Sequence, residues 1–130
     1  MALPNGAGGY QLGDGNLTEV TLGVQSTPVA KTAAATLTAA ELTSGIITYT
    51  GAAVNLTLPT VALTEALVSS AKDNSSFEVV IINTGATNAA TVVVGTGWTI
   101  VGAAAVSAAT SAQFRARKVS DLAWTLYRIA

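Results

Sequence analysis

The run Phe77-Glu78-Val79-Val80-Ile81-Ile82-Asn83 decides how the rest of the chain is read. Its four consecutive β-branched residues restrict χ1 and suit an extended backbone. Successive strand residues point to opposite faces, so Val79 and Ile81 take one side and Val80 and Ile82 the other. Both faces are apolar, which predicts a central strand covered on both sides. Asn83-Thr84-Gly85 then turns the chain.

Downstream of this strand, residues 91–94 and 98–101 read as strands joined through Gly95-Thr96-Gly97. Residues 106–110 lead into 112–119, where Phe114 and Ala116 face one way and Gln113, Arg115 and Arg117 the other. Asp121-Leu122 makes the last turn. Residues 123–129 form the closing strand, with Trp124 and Leu126 on one face and Tyr127 and Ile129 on the other. Upstream, Thr38-Ala39-Ala40-Glu41 is a capping box and predicts a single helical turn closed by Gly45. Residues 46–50 and 54–58 predict a hairpin around Gly51-Ala52-Ala53, and Pro59 ends its second strand. Apolar Val61, Leu63, Leu67 and Val68 predict a short helix capped by Thr60, with Glu65 exposed. Lys72-Asp73-Asn74-Ser75 is a polar turn.

These elements predict an all-β fold: a single β-sandwich or jelly-roll-like domain of seven to eight strands with one short inserted helix. No full-length repeat is visible, which argues against a solenoid. The domain covers residues 36–130, and residues 1–35 are read as an extended N-terminal arm. Gly6, Gly8, Gly9, Gly13 and Gly15 crowd the start of that arm. Each carries a high ordering entropy, so the stretch is not expected to fold alone. Leu3, Tyr10, Leu12 and Leu17 are spaced along it, and Val20, Leu22 and Val24 alternate as one face of a strand. A solvated tail has no need of such residues. They predict an arm that orders against a neighbouring subunit.

Composition narrows the chemistry. Six basic and seven acidic residues in 130 leave a charged fraction of 10% and a net charge of −1. That is low against about a quarter in ordinary domains. A surface of Thr, Ser, Asn and Ala is cheap to desolvate and suits burial against other proteins. The charge balance does not supply the cationic surplus that nucleic acid or an anionic membrane selects. No window is long and apolar enough to span a bilayer. The start of the chain lacks the basic and apolar regions of a secretory signal. Sequons at Asn16, Asn55 and Asn74 arise easily in a Thr-rich chain.

There is no His and no Cys, so the commonest general base and the thiolate metal ligands are missing. A Ser–Lys pair would need Lys31 or Lys72 as base, and neither lies in a recognised motif. The carboxylates have local explanations: Glu41 caps, Asp73 and Asp121 sit in turns, and Glu78 suits an ion pair with an Arg. Gly13-Asp14-Gly15-Asn16 lacks the further spaced acids of a calcium loop. Gly95-Thr96-Gly97 lacks the Lys and helix of a phosphate cradle. No catalytic, metal or cofactor site is expected, and the chain is read as a non-enzyme. Arg115, Arg117 and Lys118 form the one basic cluster, read as a polar subunit contact or solvated face and not as a nucleic-acid platform.

Three segments carry a resemblance. They are Leu37-Thr38-Ala39-Ala40-Glu41-Leu42-Thr43-Ser44-Gly45-Ile46-Ile47, the Phe77–Asn83 strand, and Ala112-Gln113-Phe114-Arg115-Ala116-Arg117-Lys118 with Ala123-Trp124-Thr125-Leu126-Tyr127-Arg128. Together they resemble the head decoration, or cement, proteins of tailed bacteriophages. The resemblance spans about residues 36–130. It implies a virion protein on the outer surface of the capsid that clamps neighbouring copies of the major capsid protein. It also implies a homo-oligomer, with a trimer favoured and a dimer possible. The interface residues expected are Leu3, Tyr10, Leu12, Leu17, Val20, Leu22 and Val24 of the arm, with Arg115 and Arg117 of the domain. The competing expectation is a tail or fibre module that binds a host receptor or glycan, for which an exposed Trp98 would be the telling feature.

Overall fold

The computed structural model describes residues 22–130. Ten strands and two short helices follow in chain order: β1 (Val29–Lys31), β2 (Ala35–Thr36), α1 (Ala39–Leu42), β3 (Ile46–Tyr49), β4 (Val54–Thr57), α2 (Val61–Leu67), β5 (Ser76–Asn83), β6 (Ala90–Val93), β7 (Trp98–Val101), β8 (Ala105–Val106), β9 (Thr110–Ser120) and β10 (Ala123–Arg128). The fold is mainly β, in two sheets. The larger sheet has the order β1-β3-β5-β9-β10-β7, and the smaller β2-β4-β6-β8.

The chain changes sheet at almost every connection. β1, β3 and β5 lie parallel in the larger sheet, while β2, β4 and β6 lie parallel in the smaller. The first six strands therefore wind as three coils, each giving one strand to each sheet. Only then does the direction reverse, with β9 antiparallel to β5 and β8 antiparallel to β6. β10 closes the larger sheet, antiparallel to β9 and parallel to β7. This winding corrects two expectations. A jelly roll pairs its strands antiparallel, whereas five of the eight strand pairings among the described residues are parallel. Residues 50–53 are not a hairpin loop either. They carry the chain from β3 in one sheet to β4 in the other. The solenoid-like path leaves no sequence repeat because its coils differ in length, although α1 and α2 take equivalent places, each between a strand of the smaller sheet and the next strand of the larger.

Glycine makes the crossings possible. Gly51 has φ 148°, and a Cβ there would stand 2.5 Å from the Thr32 carbonyl oxygen and 2.8 Å from the Tyr49 hydroxyl. Gly97 has φ 90°, and its Cβ would stand 2.7 Å from the Leu122 oxygen.

One core lies between the sheets. Ile47, Tyr49, Val79, Ile81, Phe114, Ala116, Trp124 and Leu126 enter it from the larger sheet. Leu56, Val92 and Val106 enter from the smaller. The alternation of β9 is as expected, with Phe114 and Ala116 buried and Arg115 exposed. β5 does sit centrally, between β3 and β9, but only its inner face is fully covered: Val80 and Ile82 are half-buried among the described residues. Asn83, 1% exposed, closes the end of β5. Its Nδ2 donates to the carbonyls of Asn88 (2.8 Å) and Val106 (3.0 Å), and its Oδ1 accepts from Gly85 N (3.0 Å). A buried amide is thus satisfied while it links the two sheets. β1 falls within the stretch read as arm and β2 straddles its end, yet they form the first coil through pairing with β3 and β4.

Candidate interaction surface

The most distinctive surface is an apolar groove beside the two helices. α1 forms because Thr38 and Glu41 complete a capping box: Glu41 N donates to Thr38 Oγ1 (3.1 Å), and Thr38 N donates to Glu41 Oε1 (3.0 Å). α2 begins at Thr60, whose hydroxyl accepts from Leu63 N at 3.3 Å. Two stripes of α2 are apolar or neutral. Val61 and Thr64 point into the body and are buried. Leu63, Ala66 and Leu67 point the other way, into the groove, with Leu63 60% and Leu67 52% exposed. Residues three and four apart on a helix are neighbours, so these three make one continuous strip. Leu37, Leu58 and Pro59 contribute to the rest of a groove of about 820 Å³ that has no charged residue in its lining. A helix apolar on both sides is normally buried on both. Here one side has nothing over it among the described residues.

Several charged groups are paired away from the groove. Glu78 accepts from Arg115 Nε (2.9 Å) and Nη2 and from Gln113 Nε2 (3.0 Å) across the outer face of the larger sheet. The Arg115 bonds hold the Glu78 carboxyl below its ordinary value of 4.5. Arg117 donates to Asn74 Oδ1 (2.7 Å) and Tyr127 Oη (3.2 Å), and its guanidinium lies over the Tyr127 ring. Lys31 donates to Glu41 at 2.8 Å, a bond that lowers the pKa of Glu41. Lys31 is thereby held against the carboxylate of α1.

Two expectations about charges need correction. Lys118 does not join Arg115 and Arg117 in a surface cluster. Strand alternation turns it inward, where it is 8% exposed. It donates to the Ala71 carbonyl (3.1 Å) and lies 3.0 Å from Asp121 and 3.8 Å from Glu65. The bond to Asp121 raises its pKa above 10.5, with Glu65 acting in the same direction. Glu65 is not an exposed helix position: its side chain is 18% exposed. Its Oε2 accepts from Trp124 Nε1 (2.9 Å) and Leu122 N (3.0 Å), pinning α2 to the β9–β10 turn.

Of the interface residues expected from sequence, Leu3, Tyr10, Leu12, Leu17 and Val20 lie outside the described residues. Leu22 and Val24 are 85% and 102% exposed, and residues 22–28 belong to no strand. The expected strand face at 20–24 is therefore not formed over residues 22–24 of the single chain, because no sheet edge pairs with them. Gln25 anchors the root of this segment, donating to Ser44 O at 2.8 Å. Arg115 and Arg117 sit on the outer sheet face, on a different element from the groove, which sequence reasoning missed. Its signal was present in the spacing of Leu63, Ala66 and Leu67. Trp98 is 6% exposed and donates to the Pro59 carbonyl at 2.8 Å. It is a core residue and not a loop-tip aromatic.

Among the described residues, no group of three or more acidic side chains could hold a metal, and no helix is long and apolar enough to cross a membrane. No protein-family model, curated protein or solved structure matches the chain.

The charge pattern sets a pH profile. With neither His nor Cys, no side chain has an ordinary pKa between about 5 and 8. Glu41 and Glu78 have folded-state values below 4.5, so their contribution is present above that value and is lost as pH falls through the lowered pKa. Lys118 has a folded-state value above 10.5, so its contribution is full below 10.5 and is lost as pH rises through the raised pKa. Urea unfolding midpoints are expected to be flat from about pH 5.5 to 9 and to fall on both sides. A sloping midpoint across neutrality would contradict this assignment of charges.

Proposed function

We propose that this chain is a structural virion subunit that binds the outside of a phage capsid as a decoration, or cement, protein. The two sheets serve as a sandwich-like body, and the N-terminal segment serves as its attachment. The observation that carries this reading is the uncharged groove of α2, together with the bare Leu22 and Val24. Both are apolar surfaces that a free-standing domain would bury and that a subunit of an assembly can keep for its neighbours. The resemblance read from the sequence of residues 36–130 points to the neighbours: the major capsid protein and further copies of this chain. The core placement of Trp98 counts against the receptor-binding alternative.

The mechanism is linkage. A subunit that binds only the assembled, expanded shell stabilises that state by its binding free energy, multiplied over many copies. Expanded capsids mixed with the protein should carry it through a density gradient, and electron microscopy should place it on the outer shell. A chain lacking residues 1–24, checked for its fold by circular dichroism, should bind at least about tenfold more weakly, the loss of a few apolar anchors. Equal decoration by the shortened chain would reject the arm, and localisation to the tail would reject the cement assignment.

A further inference from the structure

We propose that the groove beside α2 is the receptor for the 20–28 segment of a second copy of this chain, with Leu22 and Val24 as anchors. This deepens the self-association in the proposed function and does not depend on the capsid.

The occupant follows from three observations. First, the chemistry matches. Residues 20–28 contain no charged side chain, and neither does the lining of the groove. Leu22 and Val24 are two apart, so an extended segment places both on one side. That side would meet Leu63 and Leu67, the exposed pair on α2. Second, the groove offers main-chain partners. Thr36, at the end of β2, contributes to its wall, and β2 is an edge strand paired among the described residues with β4 alone. An extended segment can join such an edge while its alternate side chains enter the apolar pocket. This also covers an edge that is otherwise open to uncontrolled pairing. Third, Leu22 and Val24 do not fill the groove of their own chain. Gln25 is pinned at Ser44, and Val24, one residue from that anchor, is 102% exposed. The anchored root turns the side chain outward, toward another molecule. Such a contact joins two different surfaces, so it propagates head-to-tail and closes as a ring when the rotation permits.

The absence of cysteine in the full chain gives a clean test. One preparation carries Val24→Cys, and a second carries Leu63→Cys. Mixed under oxidising conditions, they should form a disulfide-linked heterodimer. Val24→Cys mixed with Val101→Cys, exposed on the far edge strand β7, should not. The double variant Val24→Cys/Leu63→Cys should give chains linked to one another, not monomers closed on themselves. Separately, sedimentation should show concentration-dependent association of the unmodified chain. Leu63→Asp should weaken it about tenfold or more, because a carboxylate in an apolar contact must be desolvated. Leu63 is largely exposed, so the fold should survive, and Leu67→Ser provides a second variant with the same expected direction. An internally closed monomer, linkage equal to the Val101 control, or association unchanged by both groove variants would overturn the proposal. All of these are read without capsids, so a failure here is separable from a failure of the cement assignment.

Discussion

Replacing Trp124 by alanine is expected to lower the unfolding free energy by about 3–5 kcal/mol. The residue is 2% exposed, on β10, and belongs to the core. Its ring lies 5.7 Å from that of Phe77 and 5.8 Å from that of Trp98, tilted against both. Truncation removes two aromatic contacts and leaves a cavity among β-sheet residues that cannot close around it. It also strands Glu65, which loses the indole N–H as a donor. Against a typical domain stability of about 5–15 kcal/mol, this is a large fraction. The melting temperature should fall by about 12–20 °C, at roughly 4 °C per kcal/mol for a domain of this size. Trp124→Phe separates the two causes. It keeps most of the ring packing and loses the donor, so its cost should be nearer about 1–2 kcal/mol. The chain has two Trp residues, so fluorescence in either variant reports on Trp98 alone. A shift under about 1 kcal/mol for Trp124→Ala would mean that the Phe77–Trp124–Trp98 cluster does not hold this part of the core together.

Trp124 was legible as a core residue because its strand alternates cleanly. The same holds for the inner faces of β5 and β9 and for the capping box of α1. These features depend on residues close in sequence. The winding was not legible for the opposite reason. A four-residue link between two short strands looks alike whether it makes a hairpin or a crossing. What decides is the distant partner: Leu56 registers with Val92 of β6, and Ile47 with Ile81 of β5. Lys118 was misplaced because it follows Arg115 and Arg117 in sequence, and Glu65 because a charged residue on a short amphipathic helix reads as solvated. Their burial depends on α2 packing over the β9–β10 turn, a contact across some fifty residues of chain. For the candidate surface, the apolar arm residues drew attention to one half of a contact. The other half lies on a helix whose inward stripe already explained its hydrophobicity, so its outward stripe went unremarked.

Glu65 provides the second large effect, and its removal tests whether that turn is held from outside. Leu122 has φ 60°, a left-handed conformation that costs a non-glycine residue about 1–2 kcal/mol. Such strain persists only where the surroundings over-determine it. Glu65 does so by accepting from the Leu122 N–H, while the same oxygen accepts from Trp124 and faces Lys118. Glu65→Ala removes all three interactions at once. It leaves Lys118 to an Asp121 whose side chain is 90% exposed and to the Ala71 carbonyl. The expected loss is about 2–4 kcal/mol, since orphaned donors near the core cost more than the bonds themselves were worth. Glu65→Gln retains an acceptor oxygen for the two N–H groups and gives up the charge, so about half of the loss should return. Leu122→Gly provides the discriminating partner. Glycine adopts positive φ freely, so the turn then no longer needs an external hold. In the double variant Glu65→Ala/Leu122→Gly, the loss should be smaller than the sum of the single losses by about 1 kcal/mol, a coupling characteristic of residues in contact. Strict additivity would mean that Glu65 acts on Trp124 and Lys118 alone and that the turn keeps its left-handed residue without help from α2.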